Sequence, residues 1–176
     1  MNLYGPKQLI DSIRSVRKNT IQIAEDIPEE HYGYRPTPDS RSVAENLTHI
    51  AQFSRFDRLL HEEEHVATLA GFDFGKLSKK SEAEEKKAQS KRELIEWLRN
   101  SGEEWAKWVE GLPEELLAEQ VGQPRGGSRT RFEMILGTKE HEMHHRAQLM
   151  VIERLLGIVP HLTRQRQPVR EEVASS

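Results

Sequence analysis

The chain has 176 residues and a mass of 20.4 kDa, which suits one domain able to hold a core without staples. It contains no cysteine, which excludes disulfides, thiolate metal sites and a cysteine nucleophile of its own. Its 26 Lys and Arg nearly cancel 29 Asp and Glu, leaving −3, so no basic field draws in nucleic acid or an anionic membrane. No apolar run approaches the ~20 residues of a membrane span. The start, Met1 to Lys7, lacks a signal-peptide apolar stretch. The expectation is a soluble cytoplasmic protein with a small-molecule substrate, and no nucleic acid or membrane partner. Charged residues at 31% and apolar ones at 35% suit amphipathic helices around a narrow core.

Four main helices are predicted. The first opens at Pro6, a favourable first-turn residue. Leu9, Ile13, Val16, Thr20, Ile23 and Ile27 follow at helical spacing, and Pro28 ends the run. Residues 28–41, with three prolines, read as an extended loop. The second helix opens on the capping box Ser42-Val43-Ala44-Glu45 and is predicted to run to about Thr68. Residues 69–80 read as a loop, and the polar stretch 81–90 as a frayed helical extension.

A second capping box, Ser90 to Glu93, introduces the third helix, with Leu94, Leu98, Trp105, Trp108 and Val109 on one face. Gly111-Leu112-Pro113 ends it. Residues 112–129 read as a loop holding a short helix at 113–119. The box Thr130 to Glu133 opens the fourth helix, which runs to about Leu156 with Gly157 as its C-terminal cap. No repeat or hairpin signal appears. The fold class is therefore all-α, a four-helix bundle, with one domain over 1–163 and a polar tail over 164–176. The long connection 69–89 is able to cross the bundle and make the second and third helices parallel.

Histidine carries the sharp chemical signal. Of eight histidines, His141 and His145 lie one turn apart. Met134, Thr138, His141, His145, Gln148, Ile152 and Leu155 keep a four-three rhythm, which puts both imidazoles at the centre of a core-facing stripe. Such a pair leaves donors and acceptors unpaired unless polar neighbours or a metal ion satisfy them. The best third ligand is His49, in register with Phe53, Phe56 and Leu60 at the margin of the second helix's apolar arc. Three imidazoles leave an open coordination position. His61-Glu62-Glu63-Glu64-His65 and His141-Glu142-Met143-His144-His145 both match the H-E-x-x-H zincin pattern. Glu142 lies off the stripe's centre, and 61–65 reads as a solvated, charged helix end.

The string His141-x-x-x-His145-Arg146-Ala147-Gln148, preceded by Ser42-Val43-Ala44-Glu45-Asn46-Leu47-Thr48-His49-Ile50, resembles the DinB/YfiT-like family of four-helix metalloproteins. The lead-in Ile27-Pro28-Glu29-Glu30 and Arg35-Pro36 is similar as well. The resemblance implies one divalent metal ion, usually zinc or nickel, held by His49, His141 and His145. It also implies a homodimer; the charged, aromatic third helix of this chain offers a contact surface, although core packing explains Trp97, Trp105 and Trp108 at least as well. Arg146 and Gln148 belong to the signature and, with His144, are the candidate catalytic residues. The family commonly has Gly where this chain has Ala147.

Known relatives of that family include thiol S-transferases and isomerases that use low-molecular-weight thiols. The leading expectation is thus a metal-dependent S-transferase, with Arg125-Gly126-Gly127-Ser128-Arg129 as a candidate holder of the thiol's carboxylates. The alternatives are a metal-dependent hydrolase, whose base candidates are Glu142 and His144, and a non-catalytic metal-binding or dimerisation bundle.

Overall fold

The computed structural model describes residues 4–87 and 89–166. Four long helices form its body: α1 Pro6–Asp26, α2 Val43–Arg58, α4 Lys91–Glu110 and α6 Arg131–Leu155. The shorter elements are α3 Phe74–Glu85, α5 Glu114–Ala118 and α7 His161–Arg164, with a two-stranded pair, β1 Gln120–Gly122 and β2 Ser128–Thr130. All three predicted capping boxes are formed. Ser42, Ser90 and Thr130 accept from the amides of Glu45, Glu93 and Glu133, whose carboxylates reach back. Gly157, at φ +78°, closes α6. Its amide reaches the Arg154 carbonyl and that of Ile158 reaches Glu153, the paired bonds of a Schellman cap.

Side-chain contacts fix the directions. Arg17 meets Leu98 and Ser101, while Lys91 meets Glu25 and Ile27, so α1 and α4 are antiparallel. His49 meets His141 and Asp57 meets Thr138, so α2 and α6 are antiparallel. Arg55 lies over Trp97, Asp57 accepts from Trp105, and Leu47 packs with Leu94, so α2 and α4 run parallel. The crossover carrying α3 makes that possible, as expected from its length. Among the described residues no helix is long and apolar enough to cross a membrane.

Several local expectations are corrected. The second helix does not reach Thr68: α2 passes at Leu59–Glu63 into one π-helical turn, and the chain turns at His65 with φ +41°. His61 is 1% exposed rather than solvated. Its Nδ1 accepts from Arg131 Nη1 at 3.2 Å, and burial beside that guanidinium pushes its pKa down to about 4. The segment 69–80 is only partly a loop, because α3 begins at Phe74. The stretch read as a loop over 112–129 holds most of a hairpin whose two strands have three residues each, turned by Gly126 and Gly127 at φ +90° and +74°. Arg164, placed in the tail, ends α7 and pairs with Asp26 at 2.6 Å. Residues 167–176 of that tail lie outside the described residues.

The core divides into two apolar ends around a polar middle. One end holds Ile23, Ile27, Leu47, Ile50, Leu94, Leu98, Leu149 and Ile152. The other holds Leu9, Ile13, Val16, Trp105, Val109 and Ile135. Between them, buried Arg17 grips Glu142 through Nε and Nη2 at 2.9–3.0 Å and donates to Leu98 O and Ser101 Oγ, while Thr20 donates to Glu142. Gly102 makes room for this: a Cβ there would stand 2.9 Å from Arg17 Cγ. Alanine is about 1 kcal/mol better than glycine inside a helix. Gly102→Ala is nevertheless expected to lose stability, by about 1–2 kcal/mol, because the pinned Arg17 stem has nowhere to move. Thermal melts check this, and a stabilised variant sinks it.

The tryptophans are explained by packing. Trp105 is 2% exposed and donates to Asp57 at 2.6 Å. Trp97 and Trp108 pack against the two apolar ends.

Candidate metal centre

The cap at Ser42 starts α2 seven residues before His49, and α6 presents His141 and His145 across the antiparallel α2–α6 contact. The three ring centroids stand 4.5–4.9 Å apart. One ligand nitrogen from each ring lies within 4.8 Å of the others, and no other such group of His, Asp and Glu occurs among the described residues. The stripe differs in phase from its sequence reading. The buried face of α6 is Ile135, Thr138, Glu142, His145, Leu149 and Ile152, so His145 is buried and His141 stands at the margin. The reason is that α6 also packs on α1, where Arg17 draws Glu142 inward.

Neighbouring oxygens orient two of the rings. His49 Nδ1 lies 2.7 Å from Glu85 Oε1. A carboxylate only accepts, so this nitrogen carries the proton and Nε2 keeps its lone pair. His145 Nδ1 lies 3.1 Å from Asn46 Oδ1 and 3.0 Å from Gln148 Oε1, which assigns it the same tautomer. His141 Nε2 sits 3.0 Å from His49 Nε2, so it donates its proton there, and its buried Nδ1 is left without a partner among the described residues. Burial, reinforced by neighbouring imidazoles, pushes the pKa of His141 down to about 3. Burial, then His49, takes His145 to about 4.

This donor set fits a divalent cation. Burial holds His141 and His145 neutral, as ligation requires. Two lone pairs are preset, and a tautomer shift in His141, moving its proton to the unpartnered Nδ1, frees the third. Tetrahedral zinc spaces its ligand nitrogens about 3.4 Å apart at bonds of ~2.0–2.1 Å. His49 Nε2 and His141 Nε2 stand 3.0 Å apart, and one nitrogen of each ring lies within 4.8 Å of the others.

Glu85 supplies a partner that sequence reading missed. It is 7% exposed, holds His49 with one oxygen and accepts from Arg41 Nε with the other at 2.7 Å. Gln52 and Ser81 anchor the same turn of α3. Burial alone would raise its pKa, but the bonds from His49 and Arg41 outweigh this and hold it below the usual range. Metal-bound imidazoles depend on such partners for orientation and basicity. Glu85→Gln and Glu85→Ala are therefore expected to weaken divalent-metal affinity by about 10- to 100-fold. Competition with a chromophoric chelator measures this, and unchanged affinity in both variants refutes the role.

The other sequence candidates lie around this centre. Gln148 donates from Nε2 to His144 Nε2 at 3.0 Å while accepting from His145, so it links the exposed His144 to the triad. Arg146 is half-buried, and its charge bears on His161. Glu142, a base candidate, is locked to Arg17 and Thr20 on the α1 side of α6. Ala147 is exposed. Beside the triad lies a cavity of about 670 Å³ that reaches Asn46, Glu85 and Gln148 and is lined by charges of both signs, Arg35, Arg41 and Lys86 with Asp39, Glu45 and Glu82. The loop Arg125–Arg129 is not part of its wall.

Comparison with known proteins agrees with this fold. The chain is 26% identical to YjoA of Bacillus subtilis (strain 168) over 153 residues, 85% of this chain and 90% of that one. The YjoA crystal structure superposes with a TM-score of 0.62 at 24% identity, covering 85% of this chain and 92% of that one. YfiT from B. subtilis, a probable metal-dependent hydrolase with an unusual four-helix bundle topology, superposes at 0.66 and 16% identity over 87% and 88% of the two chains. The mycothiol-dependent maleylpyruvate isomerase gives 0.66 at 8% identity over 83% of this chain and 61% of that one. The DinB superfamily model matches residues 12–149. With that match over most of its length, and the four-helix architecture to go with it, the chain belongs to the DinB superfamily.

Proposed function

We propose that the chain is a metal-dependent enzyme of the thiol S-transferase type, with His49, His141 and His145 as ligands of one zinc or nickel ion. The observation that carries this reading is the commitment of the His49 and His145 Nδ1 atoms to Glu85, Asn46 and Gln148, which leaves both Nε2 atoms to serve as ligands in a cluster whose ligand atoms lie within 4.8 Å of one another. A divalent ion held by His49, His141 and His145 would lower the pKa of a low-molecular-weight thiol and so supply a nucleophile at neutral pH. The protein has no cysteine to serve instead. The cavity behind Glu85 and Gln148 gives a thiol cofactor a seat, with Lys86 to meet a carboxylate beside Arg35 and Arg41, which are paired with Glu45 and Glu85. Sulfur bonds to the electrophile's carbon, the leaving group departs with its electron pair, and the thiol proton passes to solvent.

The test is turnover of a small electrophile by metal-loaded protein with and without thiol. Thiol-dependent turnover that disappears on chelation is expected, and turnover independent of thiol overturns the transferase reading. The hydrolase reading draws on the description of YfiT, and ester hydrolysis without thiol is its signature. Glu142, held by Arg17, does not serve as its base. The proposed enzyme is a homodimer, as the family resemblance implies. Light scattering at micromolar concentration should find twice the 20.4 kDa chain mass, and a monomer contradicts it.

A further inference from the structure

A chain of aromatic rings leads from the triad to the surface. Phe53 stacks on His141, with centroids 3.7 Å apart and planes 15° from parallel. Phe56 follows at 5.6 Å, Phe74 at 6.2 Å from Phe56, and Phe72 at 5.0 Å from Phe74. Phe56 and Phe72 also pack against the small apolar cluster of Leu60, Leu69 and Val121, which accounts for their inner faces. Phe53 is half-buried between His141 and Phe56, and Phe74 touches Phe56 and Phe72, yet neither belongs to the three apolar clusters and Phe74 is still 43% exposed. Its exposed ring forfeits apolar burial. The helical spacing of His49, Phe53 and Phe56 on α2 puts ligand and rings on one continuous face, and α3 adds Phe74 where that face meets solvent.

We propose that Phe53, Phe56, Phe72 and Phe74 seat the flat apolar body of the substrate, whose polar reactive end reaches the three imidazoles. The substrate class is an aryl compound, or one comparably planar and apolar, with its reactive group at one end. Such a molecule extends a row of rings already spaced for offset and edge contacts. The charged cavity behind Glu85 and Gln148 is left for the polar co-substrate. This inference rests on the metal-site reading above.

Two small hydroxamates separate it from that reading. Acetohydroxamate and benzohydroxamate share a metal-chelating head and differ in carrying a methyl or a phenyl group. Calorimetry on zinc-loaded full-length protein should give benzohydroxamate a dissociation constant about tenfold lower. Phe74→Ala should cut that ratio at least about threefold, the share of one ring contact. Phe74 is exposed, so its loss leaves the fold intact. Phe53→Leu, which keeps apolar volume without a stacking face, should cut the ratio as well. Equal binding of the two ligands, or a ratio untouched by both variants, overturns the aromatic seat while leaving the metal site standing. Failure of both hydroxamates to bind overturns the metal reading, and the seat with it.

Discussion

Replacing His145 with alanine should reduce divalent-metal affinity by more than about 100-fold, beyond the 10- to 100-fold range typical of losing a residue that only supports a ligand. His145 is the best-held ring of the three, buried and tied through Nδ1 to Asn46 and Gln148. Its loss leaves two nitrogens, and His49 and His141 then satisfy each other through their 3.0 Å contact. His65→Ala is the matched control. It lies just past the π-helical turn that follows α2, its side chain 55% exposed and paired with Glu119, and metal affinity should not change. Stability gives a second reading. Metal at 100 times its Kd should add about 2.7 kcal/mol to the wild-type protein. In a protein of this size that is a rise of roughly 5–11 °C, and His145→Ala should lose it. Equal loss of metal in His145→Ala and His65→Ala would remove the triad from consideration.

How much of this was legible in the sequence depends on whether the determinants were local. Helix starts were legible at Ser42, Ser90 and Thr130, because a cap and its glutamate settle orphan amides within four residues. The end of α6 was legible at Gly157 for the same reason. The His49, His141 and His145 set was legible through helical spacing and family pattern. Glu85 was not. It stands in a run with Glu82 and Glu84, and only the docking of α3 against Gln52 tells it from them. That helix is held largely by polar contacts and carries few apolar residues, so periodicity does not report it. The hairpin strands have three residues each, too short for an alternation to register. The phase of α6 was misread because the rhythm was centred on the two histidines and left out Glu142, which is buried because Arg17 meets it from α1.

The polar middle layer explains why the triad can exist inside a bundle. Thr138, Glu142 and His145 occupy successive turns of the buried face of α6. Asp57 on α2 accepts from Thr138 at 2.5 Å and from Trp105. Burial raises the Asp57 pKa to about 7, against the pull of those two bonds. The layer is thus a set of paired polar groups between two apolar ends, and the imidazoles form its α2–α6 edge.

Glu142→Ala should be among the most damaging single changes outside the triad. The Arg17 and Glu142 side chains are 8% and 3% exposed and share three bonds. Removing one partner strands a buried charge, at about 3–5 kcal/mol. That corresponds to a fall of roughly 6–20 °C in melting temperature. The double variant Arg17→Met with Glu142→Leu should recover most of it, since apolar replacement of both partners is often neutral or stabilising. If the double variant melts as low as Glu142→Ala, the stranded charge is not the cause. Metal affinity then tells what the pair is for. Glu142 is the residue next to His141, and its grip on α1 sets the rotation of α6 that turns His141 and His145 toward His49. A double variant that keeps wild-type stability but binds metal more weakly assigns the pair to positioning the ligands. One that keeps both assigns it to structure alone.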